Sequence, residues 1–333
     1  MGGFPFESQS TFLRCEPLRP GLPFAVAGLP WDGGVTNRPG ARLAPRCIRQ
    51  ASHMLCDGIH PYFQIGLDGQ LGDAGDLPLP NTCLEAVQEA LPDLLQPLLA
   101  SHHMVWLGGD HSLTLPLLRA YRAALGRPLA VLHFDAHPDT WSDHFGEPSG
   151  HGTWVHEAMQ EDLVLPELFT QIGIRSSCHR LASDYVHDRG GRSFSARDLR
   201  GLENESQLEP LLTSVRDRWA AAGQPPLYLS LDIDCLDPAF APGTGTPEPG
   251  GLSSNQVLTI LEALADLPFV GMDCMEVSPP YDHAELTSMA AAHFVWTYLC
   301  GQVSRRDSRR AQALVHDMVS GRPRRPPQPP AHR

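Results

Sequence analysis

Short apolar runs recur along the chain, and each is bounded by glycine, proline or charged residues. Nearly continuous hydrophobicity over such lengths is typical of strands that are buried on both faces, as in a parallel sheet. We therefore predict a strand over each run. The predicted strands are Phe24–Pro30, Met104–Gly108, Leu129–Asp135, Phe169–Ile174, Leu227–Asp234 and Phe269–Val277.

Between these runs, apolar residues follow the spacing of amphipathic helices. They recur with a helical period from Leu84 to Leu98, where Pro92 and Pro97 are expected to bend or interrupt the helix. Strands that alternate with helices predict an α/β fold with a mainly parallel central sheet. Two further helices, each with a serine as its predicted N-cap, are Leu113–Leu125 with Ser112 and Asn255–Ala265 with Ser254.

The chain shows no internal repeat and no evident linker, so residues 1–320 are predicted to form one domain. Residues 321–333 are rich in proline and arginine with almost nothing apolar to bury, and we expect them to be disordered. No secretory signal and no apolar run long enough for a membrane span is evident. We therefore expect a cytoplasmic protein with reduced thiols. Its eight cysteines include no Cys-x-x-Cys pair, so a zinc-ribbon or thioredoxin-like site has no support.

The charge balance and the lack of lysine narrow the possible functions. Acidic residues outnumber basic ones 38 to 25, which gives a net charge of −13. This disfavours nucleic acid as a partner and weakly favours a small cationic substrate, although the charge can equally serve solubility alone. Lysine is absent from the sequence. A lysine Schiff base and a P-loop lysine are therefore excluded.

Two motifs follow predicted strands, at the sheet edge where ligands bind in open α/β folds. Gly108–Ser112 presents His111, although a lone loop histidine is more often a surface or hydrogen-bonded residue. The next motif is more informative, because Asp135, His137 and Asp139 alternate and so share one face of an extended segment. Three buried ionisable groups would need a partner, and a metal ion would supply the positive charge.

A third motif places Asp232 and Asp234 on one face at the end of another strand. Asp237, directly before a proline, is interpreted as a turn residue. Four carboxylates would overcharge one divalent ion, whereas two ions would balance them, and carboxylate-rich sites suit hard ions such as Mn²⁺. The six candidate ligands are His111, Asp135, His137, Asp139, Asp232 and Asp234.

Over residues 10–300 the chain resembles the ureohydrolases, the family that includes arginase and agmatinase, and it looks most like the agmatinase branch. Several motifs in the same order carry this resemblance. They are RPGAR at 38–42, GGDHS at 108–112, FDAHPDT at 134–140, HGT at 151–153, SLDIDCLDPAFAPGTGTPEPGG at 230–251 and GMDCMEVSPPYD at 271–282.

The resemblance implies a three-layer α/β/α fold with a central, mainly parallel sheet, and two Mn²⁺ ions per subunit. It further implies that Asp135 and Asp232 bridge the ions, with His111 and Asp139 on one ion and His137 and Asp234 on the other. Family members usually assemble as homotrimers or homohexamers, which is the assembly we expect here.

The resemblance also implies two catalytic residues beside Asp139. His151 matches the family's proton-shuttle histidine, and Glu276 matches its guanidinium-binding carboxylate. The chemistry is consistent with these roles, because a histidine near its normal pKa can protonate the departing amine. A carboxylate can hold a planar guanidinium through two hydrogen bonds. Taken alone, His151 could be a surface histidine and Glu276 part of a structural ion pair.

The substrate is predicted from the loop at residues 140–150, which we expect to line the mouth of the site. Between Asp139 and Asp162 the chain contains no arginine, and the acids between these two residues are Asp143, Glu147, Glu157 and Glu161. Such a mouth favours agmatine, a guanidine with a distal ammonium group, although the acids could simply face solvent. If Arg38 or Arg42 reached the mouth, a carboxylated guanidine would be preferred.

Several alternatives stay open from the sequence. Within the family, the substrate could be 4-guanidinobutyrate, 3-guanidinopropionate or guanidine itself. In other classes, the fold could serve a deacetylase, a metallophosphatase or an inert metal-binding relative. The complete set of six ligands together with Glu276 argues against a deacetylase. The GNH pattern expected of a metallophosphatase is absent downstream, and an inert relative would be favoured by loss of Asp135 or Asp232, both of which are present.

Overall fold

The computed structural model describes residues 10–143 and 145–320, with side chains described as far as residue 309. Within this part of the chain, nine strands form one sheet. They are β1 (Glu16–Pro17), β2 (Phe24–Gly28), β3 (Leu71–Asp76), β4 (His103–Leu107), β5 (Leu129–Phe134), β6 (Val164–Ile174), β7 (Arg192–Ser195), β8 (Leu227–Asp232) and β9 (Phe269–Met275).

Every neighbouring pair of strands in this sheet is parallel, and the order is β1-β3-β2-β4-β9-β8-β5-β6-β7. All six predicted strands are present, so the predicted parallel sheet is confirmed. Three strands were missed. β1 has two residues and β7 is a partly exposed edge strand, while β3 contains two aspartates that hide its strand character.

Helices cover both faces of the sheet and complete a three-layer α/β/α architecture. One hydrophobic core includes side chains of α1, α6, α7 and α8, and the other includes side chains of α2, α3 and α4. Among the described helices, none is both long and apolar enough to cross a membrane. The α-helices are α1 (Ala44–Ser52), α2 (Leu84–Leu99), α3 (Thr114–Leu125), α4 (Trp154–Gln160), α5 (Arg180–Ser183), α6 (Glu205–Ala221), α7 (Ser254–Ala263) and α8 (Leu286–Ser320).

Pro92 and Pro97 lie within α2 without interrupting it, so of the two predicted effects, bending or interruption, the interruption is wrong. The helix is one continuous element from Leu84 to Leu99. Its buried stripe includes Leu91 and Leu95, and the packing of these side chains offsets the backbone hydrogen bonds that the prolines cannot donate.

Both predicted serine caps were wrong. Before α3, a short 3₁₀ helix intervenes at His111–Leu113, and the Asp110 carboxylate accepts the backbone N–H of Ser112. At α7 the cap is Ser253, in a reciprocal capping box with Gln256. The N-cap of α7 lies one residue before the predicted one, and that of α3, Leu113, lies one residue after it, which is the usual uncertainty of a helix boundary.

Candidate metal centre

The carboxyl ends of β4, β5 and β8 bring the six predicted ligands to one edge of the sheet. His111 follows β4 in its 3₁₀ turn, and its Nδ1 faces three carboxylates. The distances are 3.0 Å to Asp232 Oδ2, 3.2 Å to Asp135 Oδ2 and 3.4 Å to Asp139 Oδ2. Four potential ligand atoms thus converge from three separate segments.

A second group lies beside the first and shares Asp135 with it. His137 Nδ1 is 3.0 Å from Asp234 Oδ2 and 3.3 Å from Asp135 Oδ1. Asp135 therefore turns one oxygen to each group, as a bridging ligand would. Asp232 differs, because its Oδ2 faces His111 while its Oδ1 accepts the backbone N–H of Asp234 at 2.8 Å.

The four carboxylates of this cluster have only two cationic partners among the described residues, His111 and His137, whose pKa values are raised although burial opposes their charge. All four carboxylates are almost fully buried, and no arginine side chain pairs with any of them in the described residues. Burial and the neighbouring carboxylates raise the pKa of Asp139 and of Asp232 well above the usual range. Hydrogen bonds with histidines outweigh burial at Asp135 and hold its pKa well below that range. This donor set of oxygen and imidazole nitrogen fits divalent cations.

A hydrogen-bonded relay behind His111 fixes the orientation of its ring. His111 Nε2 donates to Ser230 Oγ at 2.9 Å, and that hydroxyl donates to Asp273 Oδ1 at 2.8 Å. The fully buried Asp273 also accepts hydrogen bonds from Thr114 and Tyr228. With an ion bound, the same hydrogen bond would keep the ring proton on Nε2 and leave Nδ1 for the ion. Without an ion, burial opposes the His111 charge, but hydrogen bonding to Asp135 outweighs it and raises the pKa of His111 to about 9. Sequence reasoning missed Asp273, although an acid within an apolar strand was a usable signal.

Asp135 is held by a similar chain of contacts. His133 Nε2 lies 2.8 Å from Asp135 Oδ2, and Gln171 Nε2 donates to His133 Nδ1 at 3.3 Å. The same Gln171 amide donates to the backbone carbonyl of Pro138 at 2.9 Å. His133 and Gln171 thus tie β5 and β6 to the second motif, and the sequence analysis identified neither.

Glu276 and His151, the two predicted catalytic residues besides Asp139, contact each other at this edge. Glu276 Oε1 accepts hydrogen bonds from the backbone N–H of His111 at 2.9 Å and from His151 Nδ1 at 3.0 Å. Thr36 donates its backbone N–H to His151 Nε2 at 3.1 Å, and its hydroxyl lies 2.8 Å from the same atom. Burial opposes the His151 charge, but Glu276 outweighs it and raises the pKa of His151.

Glu276 is left with one unsatisfied oxygen. Its Oε2 is buried and has no hydrogen-bond partner among the described residues. A Cβ added to Gly245 would lie 3.4 Å from this oxygen, so the glycine leaves room beside it. Glu276 and Asp139 also adopt left-handed backbone conformations, with φ of 65° and 52°. Such strain in side-chain-bearing residues is concentrated at functional sites.

A cavity of about 190 Å³ borders the ligand cluster and gives access to it. Two predicted features of the cavity are present, namely His151 and part of the loop at residues 140–150. The described side chains that line it include one further acid, Glu248, and no arginine. The lining residues are Thr36, His137, Asp139, Trp141, Phe145, His151, Gly152, Ser176, Ser177, Asp232, Thr246 and Glu248.

Residues 22–301 match the family model described as the arginase family. The chain belongs to the arginase family. This arginase-family chain is 39% identical to an agmatinase of Chromobacterium violaceum, over 84% of each chain. It is 38% identical to a guanidinopropionase of Pseudomonas aeruginosa, over 89% of this chain and 92% of that protein.

A third relative is known both by sequence and by structure. The proclavaminate amidinohydrolase of Streptomyces clavuligerus is 40% identical over 84% of this chain and 89% of that protein. Its solved structure superimposes with a TM-score of 0.81, covering 90% of this chain and 98% of the other. Arginase-family proteins are binuclear metal enzymes, and this member is an amidinohydrolase that acts on guanidino compounds.

The acids that suggested the substrate do not line the cavity of this arginase-family enzyme. Glu157 accepts a hydrogen bond from Thr153 Oγ1 at 2.6 Å, and Glu161 forms an ion pair with Arg119 at 2.6 Å. Asp143 and Glu147 are exposed and are absent from the cavity lining. The expected role of these four acids is therefore wrong, and the loop contributes aromatic side chains instead.

Both arginines that could have reversed the substrate prediction contact other residues. Arg42 forms an ion pair with Asp32 at 2.5 Å, and the guanidinium of Arg38 stacks over Tyr281 with its carbon 5.1 Å from the ring centroid. Neither arginine lines the cavity. Asp237 accepts hydrogen bonds from the backbone N–H groups of Ala239 and Gly250, which confirms its turn role.

Proposed function

We propose that this enzyme hydrolyses agmatine to putrescine and urea with two Mn²⁺ ions. The observation that carries the substrate assignment is the charge of the cavity wall. Agmatine has a guanidinium at one end and an ammonium at the other, and Glu248 is an acid among the residues that line the cavity. A carboxylated guanidine would find no arginine among the described lining residues and would meet Glu248 as a like charge.

The six predicted ligands are proposed to hold the ions. The bridging orientation of Asp135 and the unbalanced buried charge support two ions, and the carboxylate-rich donor set favours Mn²⁺. When bound, such ions activate water for attack on the guanidinium carbon. The ligands themselves are His111, Asp135, His137, Asp139, Asp232 and Asp234.

Glu276 is proposed to bind the guanidinium through Oε2, the buried oxygen that lacks a partner among the described residues. A guanidinium N–H would satisfy this acceptor. Guanidinium binding would thus remove the cost of an unsatisfied buried acceptor.

His151 is proposed to carry a proton to the departing amine. Its ring borders the cavity, and Glu276 stabilises the imidazolium form at Nδ1. The substitution His151→Ala is expected to leave metal content unchanged while turnover falls by about 10²–10⁴-fold. Full turnover in this variant would remove His151 from proton transfer.

The decisive experiment measures urea release by the Mn²⁺-loaded enzyme from agmatine, arginine, 4-guanidinobutyrate, 3-guanidinopropionate and guanidine. We expect agmatine to give the highest kcat/KM. Glu248→Gln should raise the KM for agmatine by about 10-fold, because one charge-assisted contact is lost. Glu147→Gln is the matched control, since this exposed glutamate lies outside the cavity lining. Preference for a carboxylated guanidine would reject agmatine while retaining the hydrolytic mechanism.

A further inference from the structure

A second cavity lies at the amino ends of the strands, whereas the candidate metal centre lies at their carboxyl ends. Its volume is about 530 Å³, and it is lined where three strands begin, by Phe24 of β2, His103 of β4 and Phe269 of β9. β9 spans seven residues between this cavity and Glu276. At about 3.3 Å per residue, the two sites are roughly 20 Å apart.

One wall of this cavity concentrates positive charge in a chain whose net charge is −13. Arg305, Arg306 and Arg309 of α8 all line it. In the part of the chain that the structure describes, none of the three forms an ion pair. Three guanidinium groups on adjacent turns repel one another unless an anion lies among them.

Among the described residues, few of the N–H donors of these arginines have a hydrogen-bond partner. Arg305 Nε donates to the backbone carbonyl of Asp266 at 3.0 Å, while the Asp266 carboxylate pairs with Arg216 at 3.2 Å. Arg306 Nη1 is buried and has no hydrogen-bond partner among the described residues. Burial and the charge of Arg309 both lower the pKa of Arg305, as expected for uncompensated cations. An oxygen atom of a ligand could accept a hydrogen bond from such a buried donor.

The other walls are apolar or uncharged. Phe24 and Phe269 offer aromatic surface, and the Phe24 and His103 rings lie with centroids 5.1 Å apart. Burial, reinforced by Arg305, lowers the pKa of His103 to about 4, so this imidazole is neutral at pH 7. Its Nε2 is 2.8 Å from the hydroxyl of Tyr298. The charge of the cavity therefore comes from the guanidinium groups, opposite an aromatic surface.

We propose that this arginine cavity is a second ligand site, which binds a small organic anion with a phosphate or carboxylate group on an aromatic or apolar body. The oxyanion lies among Arg305, Arg306 and Arg309, and the body packs against Phe24 and Phe269. The volume is within the range of small-molecule sites. The cavity shares no lining residue with the catalytic cavity, so its ligand does not compete with the guanidino substrate for space.

The test is calorimetric titration of the metal-loaded full chain with phenyl phosphate, benzoate and inorganic phosphate. We expect saturable binding of one aromatic anion per chain, tighter than that of inorganic phosphate. The stronger of the two aromatic probes identifies the oxyanion. Arg306→Gln/Arg309→Gln should weaken binding at least about 10-fold, because charge-assisted hydrogen bonds are lost. The exposed Arg309→Gln alone should weaken it in the same direction if the double variant fails to fold.

The matched control is Arg192→Gln/Arg197→Gln, which removes two exposed charges outside the cavity. It should bind the probes as the parent does, and all variants should release urea from guanidino substrates at the parent rate without probe. If both double variants bound the probes equally weakly, the loss of affinity would be due to the change in net charge alone, and the proposal would be overturned. Absence of saturable binding, with dissociation of an oligomer in Arg306→Gln/Arg309→Gln, would assign these arginines to the acids of a second copy instead.

Discussion

The buried acid Asp73 and the cluster of four buried acids at the candidate metal centre differ in where their counter-charge comes from. Asp73 of β3 is 4% exposed and faces Arg49 of α1, whose Nε and Nη2 donate to its two oxygens at 2.8 and 2.9 Å. The backbone N–H groups of Phe12 and Gly75 complete the shell, each at 2.8 Å. The charge of Asp73 is thus balanced and its acceptors are satisfied by the chain itself.

The metal centre contains four buried carboxylates and no such guanidinium. Its only cationic partners among the described residues are His111 and His137, which present Nδ1 to the acids. The Nε2 atom of His111 is hydrogen-bonded to Ser230, which donates to Asp273. A buried acid that is paired with an arginine of the same chain has a structural role. Buried acids that have no arginine partner, and that lie beside histidines, are the residue types that bind metal ions. The predictions that follow test this distinction.

Loss of a shared ligand should have the largest effect. Asp135→Asn removes the carboxylate whose two oxygens face both histidine groups, so bound Mn²⁺ and urea release should both fall to background, a loss on the order of 10³-fold or more. Metal analysis and a urea assay measure this. Under the same conditions Asp73→Asn should still bind two ions per folded chain. Retained metal and activity in Asp135→Asn would contradict the distinction.

The structural acid should dominate stability instead. Asp73→Asn leaves the buried Arg49 guanidinium, with 5% of its side chain exposed, without its bidentate partner. Breaking a buried pair from one side costs about 3–5 kcal/mol, and denaturant unfolding at pH 7 should show such a loss. Arg19 and Glu16 provide the exposed comparison, and Glu16→Gln should leave the free energy of unfolding nearly unchanged. Similar losses in both variants would show that burial of the pair is not the cause.

The relay behind His111 is expected to have a smaller effect on metal binding than a direct ligand. In the native protein Ser230 donates its hydroxyl hydrogen to Asp273 and can therefore only accept from His111. The amide of Asp273→Asn can also donate to Ser230, so the tautomer of His111 becomes less well defined. Mutations of such outer partners typically cost 10–100-fold in metal affinity, and we expect a weakening of about that size in competition with a chelator. If affinity is unchanged, the relay serves packing alone.

The sequence reveals the proposed ligands more completely than the residues that support them. Asp135 and His137 belong to one alternating segment, so local spacing is enough to identify them. By contrast, Asp273 and Gln171 reach their partners from other strands, and only the pairing of β8 with β9 and of β5 with β6 brings them into contact.

The same reasoning explains the errors in the predicted substrate contacts and strands. Glu157 and Glu161 were assigned to the cavity from their positions in the chain, whereas their hydrogen-bond partners decide where they point. Glu248 was overlooked because it lies far along the chain from the loop that was analysed, although both line one cavity. In β3, Asp73 looks like a loop residue until its partner Arg49 is known.

The smallest effect is expected when Asp232 is changed in metal-free protein. Burial, together with the charges of Asp234 and Asp135, raises the pKa of Asp232 well above its usual range, so its charged form adds no stability to the metal-free fold. Asp232→Asn with a chelator present should therefore change the free energy of unfolding by less than about 1 kcal/mol. With Mn²⁺ in excess the parent should gain stability from binding and the variant should not, because a ligand stabilises the state that binds it. A loss in metal-free Asp232→Asn as large as that in Asp73→Asn would mean that both acid clusters are structural.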